Sequence, residues 1–227
     1  MEGKIEALSS IMEHLKPHIV FYLGPIPIST TVFTAWIVMA ILFIFVLAIT
    51  RNLKLIPSGW QHLPEMAVEF IYDMLESSMG REGRKYISLV GSLFIFILFL
   101  NLAWFIPEFK PPTMDLSTTL AFAVTTVICI MFFGIKEKGL GKYLKHFFTP
   151  IPFMAPLNLL EELIRPVSLS LRLYGNMFGE EMVVTILFTL VPLLAPIPVQ
   201  FLGLIMAFIQ AFVFSLLTTT YIAEAVE

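Results

Sequence analysis

Leu169-Ser-Leu-Arg-Leu-Tyr-Gly-Asn-Met177 runs on to Val183-Val-Thr-Ile-Leu-Phe-Thr-Leu-Val191 with no proline between Arg172 and Val191. Such a stretch belongs in lipid, yet it carries an arginine. A guanidinium in the bilayer core costs from about 2.5 to well over 10 kcal/mol, depending on the reference state. Arginine does not escape that cost by deprotonating, because it stays charged in proteins. The charge therefore needs water, a counter-charge or a partner subunit. Arg172 is a functional-site candidate for that reason.

The rest of the chain agrees with a membrane setting. It is 58% hydrophobic and 14% charged, with a mean hydropathy of +0.88, whereas soluble domains carry roughly 25% charged residues. The 227 residues are read as one integral membrane domain, 1–227, whose length counts spans. No basic patch is dense enough for nucleic acid. One cysteine, Cys129, lies in an apolar span, so neither a disulfide framework nor a cysteine metal site arises within one chain. His14, His18, His62 and His146 form no HExxH pattern, and no P-loop is present. No cofactor or metal is expected, and the chain is not expected to catalyse ATP chemistry itself. Met1 to Lys16 mix acids and bases without a basic start and short apolar core, unlike a cleaved signal peptide.

Crossing the hydrocarbon takes about 20 apolar residues. Five segments meet that length: about 32–50, 86–107, 116–135, 158–191 and 199–222. The expected fold is all-α and polytopic, with five transmembrane helices, the last two long and lining an ion path. Pro64 to Met79 adds an amphipathic helix. Met66, Phe70 and Met74, with Ile71 and Leu75, fall on one side, and Glu65, Glu69, Asp73 and Glu76 on the other. It reads either as an interfacial helix or as a helix packed on other subunits. Phe147 to Leu157, with Pro150, Pro152 and Pro156, reads as a broken approach to the fourth span. Trp104 reads as an interfacial aromatic.

The basic residues orient these spans. Arg51, Lys54, Arg81, Arg84 and Lys85 flank the first long connection, and Lys136, Lys138, Lys142 and Lys145 crowd the second. The loop Glu108 to Asp115 has a single lysine, and Pro192 to Pro198 has no charge. Basic loops prefer the cytoplasm, so the N-terminus is expected outside and the C-terminus in the cytoplasm.

The polar residues of the last two spans sort by helical geometry. Glu161 and Glu162 stand four and three residues before Arg165, the spacing of local ion pairs. Arg172 lies seven residues after Arg165, on nearly the same face and ~10 Å along. Asn176 is one turn further, within hydrogen-bonding reach of the guanidinium or of an ion-carrying group. No acid stands three or four residues from Arg172, and the central parts of the other spans hold no carboxylate. By elimination, its counter-charge belongs to another chain. Glu181, ~13 Å beyond Arg172 and half a turn around, is placed to line an aqueous path; of Glu180 and Glu181, one is read as structural. Gln210 is either a packing hydrogen bond or part of that path.

Pro166-Val-Ser-Leu-Ser-Leu-Arg-Leu-Tyr-Gly-Asn-Met-Phe-Gly-Glu-Glu-Met182, followed by Ile209-Gln-Ala-Phe-Val-Phe214, resembles subunit a of F-type ATP synthases. So do Pro112-Thr-Met-Asp-Leu-Ser-Thr-Thr-Leu120 and Leu217-Thr-Thr-Thr-Tyr221. The resemblance implies the stator half of a rotary ion motor in a bacterial plasma membrane, working with a ring of c subunits and a peripheral stalk of b subunits. It implies that Arg172 faces the ring carboxylates and that Asn176, Glu181 and Gln210 belong to the ion path. H+ is the implied coupling ion and Na+ the alternative; a secondary transporter with its own substrate site is the remaining reading. Asp115 and the hydroxyls of Ser117-Thr-Thr119 either line the outer half-channel or simply cap a helix. One departure stands out. Several bacterial relatives have a histidine near the position of Gly203, so Glu181 must work with other groups or water.

Overall fold

The computed structural model describes residues 19–23, 26–51, 59–106, 110–141, 143, 155–190 and 196–226. A two-stranded antiparallel ribbon, β1 (Ile19–Leu23) and β2 (Ile26–Ser29), pairs Tyr22 with Pro27 and Leu23 with Ile26. The sequence reading does not anticipate it. The strands are rich in β-branched and aromatic residues, as strands prefer, but each is too short to give a lasting period-two signal. Among the described residues the rest is mostly helical, with six long α-helices: α1 (Thr30–Thr50), α2 (His62–Met79), α3 (Ile87–Leu102), α4 (Leu116–Lys138), α5 (Ala155–Leu190) and α6 (Pro196–Val226).

The expected spans map onto α1, α3, α4, α5 and α6. Differences are at the ends, where α4 continues past residue 135 to Lys138 and α6 past 222 to Val226. α3 tightens into a 3-10 turn, Ala103–Phe105, and residue 107 lies outside the described residues. Among the described residues, four helical runs are long and apolar enough to cross a membrane: Thr30–Thr50, His62–Phe105, Leu116–Lys138 and Ile197–Val226. The 36-residue α5 is not among them, because its arginines and glutamates dilute its apolar content. Pro166 lies within α5 and Pro156 in its first turn, where the missing N–H is harmless. Residues 147–154 of the expected broken approach, and Met1 to Lys16, lie outside the described residues.

α2 packs against its own chain. Ile71, Met74 and Leu75 are buried, and the Phe70 ring meets Phe94 of α3 and Phe208 and Phe212 of α6 at 5.6–5.9 Å between centroids. Met66, expected on the apolar face, is exposed. The buried stripe is rotated toward Ile71 and Leu75, since α3 and α6 cover that side. Gly80, at φ 63°, ends α2 in a conformation that side chains disfavour. The 3-10 segment Gly80–Tyr86 then leads into α3. Lys85 in that segment reaches Glu137 near the end of α4 at 3.6 Å, so the start of α3 and the end of α4 share one side of the molecule.

The core gathers α2, α3, α4, α5 and α6 around Ile71, Val90, Ile97, Ile130, Leu173 and Phe214. α1 stands apart and buries little beyond Thr31, Thr34 and Val38. Backbones approach closely at Gly134 of α4. A Cβ there would lie 2.7 Å from the Tyr143 ring and 3.2 Å from the carbonyl oxygen of Ala225. Overpacking of this kind costs about 1–3 kcal/mol. Gly134→Val is accordingly expected to lower the temperature at which the detergent-solubilised chain loses its helical circular dichroism signal; an unchanged melting curve would contradict this packing.

Candidate functional site

α5 and α6 are antiparallel neighbours, and their polar residues meet at three levels. At the first, Arg165 is buried and holds Glu161 at 3.3 Å, Glu162 at 3.2 Å and Glu224 of α6 at 2.8 Å. Its guanidinium also sits 4.7 Å from the centre of the Tyr221 ring, a cation–π arrangement. The two local glutamates are those that helical spacing indicates. Glu224 and Tyr221 come from a helix about 60 residues away and leave no local signal.

At the second level, Asn176 Nδ2 donates to Gln210 Oε1 at 2.5 Å. Gln210 is buried, and its Nε2 has no partner among the described residues. One turn away on α6, the carbonyl of Ala207 accepts from Asn101 Nδ2 of α3 at 3.4 Å, while Asn101 Oδ1 has no partner among the described residues. Asn101 has no place in the sequence reading. Its only signal is an amide near the end of an otherwise apolar span.

At the third, Trp104 Nε1 donates to Glu181 Oε2 at 2.5 Å. Glu180 Oε2 is buried, has no hydrogen-bond partner among the described residues, and lies close to Gly203. The tryptophan expected at the lipid interface thus turns its N–H inward. Of the neighbouring acids, it is Glu181 that Trp104 engages, while Glu180 is the more enclosed.

Arg172 lies between the first and second levels. It is exposed, and among the described residues no hydrogen bond or ion pair reaches it. Arg165, seven residues earlier and nearly on the same face, is covered by α6. Arg172 is left open beside exposed Ile164, Val167 and Leu171. The α5–α6 contact is fastened on either side of Arg172 and supplies it no acid.

Asp115 is placed differently. It caps α4, accepting from the Ser117 backbone at 3.0 Å and its hydroxyl at 2.9 Å, and it accepts from Thr31 of α1 at 2.9 Å. No hydrogen bond or ion pair among the described residues joins it to Asn176, Glu181 or Gln210. Thr119, one turn into α4, bonds Ser170 of α5 at 3.1 Å. Among the described residues, no group of three His, Cys, Asp or Glu is placed to hold a metal.

Comparison with known proteins places the chain in a family. A family profile described as ATP synthase A chain matches residues 32–223. The ATP synthase subunit a of Moorella thermoacetica is 60% identical over 95% of this chain and 99% of its own length. That of Trichlorobacter lovleyi is 42% identical over 98% of this chain and 96% of its own. ATP synthase subunit a 1 of Syntrophotalea carbinolica is 44% identical over 85% of this chain and 84% of its own. The chain belongs to the ATP synthase A chain family, the subunit a proteins of F-type ATP synthases, and is a multi-pass, non-catalytic component of the F0 sector in a bacterial plasma membrane.

Proposed function

We propose that this stator subunit provides two aqueous half-channels that carry H+ to and from the carboxylates of a ring of c subunits, with Arg172 between them. Five crossings, an outer N-terminus and a cytoplasmic C-terminus complete the reading, with b subunits as the peripheral stalk. The observation that carries it is the open, unpaired guanidinium of Arg172 on the exposed face of α5. A permanent charge in a membrane needs water or a counter-charge, and no acid of this chain reaches it among the described residues, which supports an acid supplied by a partner. Asn176 and Gln210 lie along the path near mid-helix, and Glu181 and Asp115 lie toward its outer end.

The mechanism follows from electrostatics. An ion entering one half-channel neutralises a ring carboxylate, which then turns through lipid at low cost. As the site nears Arg172 from the other side, the fixed positive charge stabilises the ionised carboxylate, and the ion leaves through the second half-channel. The same charge repels a cation that would pass straight between the channels. Each elementary charge crossing 100 mV releases ~2.3 kcal/mol, so several transfers are summed by rotation to drive one ATP. Na+ is the alternative ion, since its selection rests on groups around the ring carboxylate.

A cysteine scan tests the facing. In a Cys129→Ala background, Leu171→Cys on the open face is expected to form disulfides with a cysteine beside the carboxylate of the c subunit. Leu173→Cys, fully buried against this chain's own core, is expected to form none. Absence of cross-links from Leu171→Cys, in complexes that contain both subunits, would sink the reading.

A further inference from the structure

We propose that Trp104 is a positioning residue that fixes the Glu181 carboxylate at the outer end of the ion path, and that Gly203 is the notch that seats it. The proposal rests on the half-channel reading and adds the group that sets the geometry of one of its acids.

The notch is the first observation. A Cβ built on Gly203 would lie 2.2 Å from Trp104 Cζ3 and 3.0 Å from Cη2. The same Cβ would be 3.2 Å from Glu180 Oε2. Real side chains do not tolerate the first of these distances, so the indole occupies the volume in which any residue other than glycine would begin. Trp104 of α3's terminal turn already fills the space.

The direction of the indole N–H is the second. A tryptophan in an interfacial belt turns its N–H toward headgroups and water. Trp104 instead donates to Glu181 Oε2, and this is the one hydrogen bond or ion pair that reaches Glu181 among the described residues. An indole N–H is a donor only, so it selects the carboxylate oxygen as its partner. The ring has two rotatable bonds, is wedged against Gly203, and meets Phe105 edge-on at 5.4 Å between centroids. The donor is therefore fixed in place. Among the described residues Glu180 has no such donor, and its buried Oε2 is left unmatched beside the notch.

Packing alone and positioning by the N–H make opposite predictions for two replacements. Trp104→Phe keeps an apolar ring in the notch without a donor, whereas Trp104→His keeps a ring N–H in a smaller side chain. The assay is ATP-driven charge movement by the whole complex in inverted membrane vesicles, followed with a potential-sensitive dye and normalised to subunit a by immunoblot. Trp104→Phe removes a hydrogen bond to a charged group, the stronger class of hydrogen bond, and is expected to slow coupled movement about tenfold or more. Trp104→His is expected to stay within about threefold of the parent. Gly203→Ala alone is expected to lose about tenfold, and Gly203→Ala combined with Trp104→His to regain most of it, because the smaller ring leaves room for the methyl. Once Glu181→Gln is present, adding Trp104→Phe is expected to cost nothing further. Parent-like movement in Trp104→Phe, or a histidine variant no better than phenylalanine, overturns the proposal. Failure of this inference is separable from failure of the reading beneath it. Arg172→Ala still stops coupled movement in the first case and leaves it running in the second.

Discussion

Arg172→Ala is expected to abolish ATP-coupled ion movement while leaving the chain in the membrane and the complex assembled. The guanidinium makes no ion pair with its own subunit among the described residues and is not buried, so removing it opens no cavity and orphans no partner within the chain. The loss falls on the passing carboxylate. Two unit charges ~4 Å apart attract by about 4 kcal/mol at an effective dielectric near 20. At 1.36 kcal/mol per tenfold, this is about a thousandfold in the population of ionised ring sites. Without it, a ring site reaching the stator keeps its ion and the exit half-channel goes unused. Arg172→Lys retains the charge but gives up the planar fork for a point charge on a flexible stem, and about a tenfold loss or more is expected. Two competing readings part company here. A membrane scaffold predicts normal ATP synthesis in Arg172→Ala, and a self-contained transporter predicts coupled uptake by the isolated chain in liposomes. Either outcome would remove the rotary stator mechanism.

The part of this site legible in the sequence is the part governed by spacing along one helix. Arg165 with Glu161 and Glu162 is visible from three- and four-residue separations, and the isolation of Arg172 from the absence of such partners. What spacing does not carry is the rotation of one helix against another. Asn176 with Gln210 spans 34 residues, Trp104 with Glu181 spans 77, and Arg165 with Glu224 spans 59. In a soluble protein, an apolar stripe tells which face of each helix turns inward. In lipid the outer face is as apolar as the core, and α1 and α3 are nearly uniform around their circumference. The inward faces of α3 and α6, and hence the meeting of Asn101 with Ala207, could not be read. α2 tests the rule from the other side. It does have an amphipathic pattern, and its buried face was legible in Ile71, Met74 and Leu75, while Met66 and Phe70 stay exposed.

The second large effect is expected at Arg165, and it is one of stability. Arg165 holds three carboxylates and one aromatic face where the start of α5 meets the end of α6. Glu161 and Glu224 side chains are 64% and 48% exposed, so water replaces much of what they lose. Glu162 is 15% exposed and has much less access to water. Breaking a buried pair by removing one partner costs about 3–5 kcal/mol, because the other charge stays buried. Arg165→Met is therefore expected to destabilise the chain by about 3 kcal/mol, the low end of that range, given the two solvated partners. Losing the α5–α6 clamp beneath Arg172 would also free the face that carries Arg172 to shift. The expected readout is a lower melting temperature of subunit a in the solubilised complex, together with reduced coupled transport at the growth temperature. Arg165→Met combined with Glu162→Gln removes the stranded charge and should recover part of the lost stability. A double variant as unstable as Arg165→Met alone would mean that the cation–π contact with Tyr221 and the Glu224 bridge, rather than the stranded charge of Glu162, account for the loss.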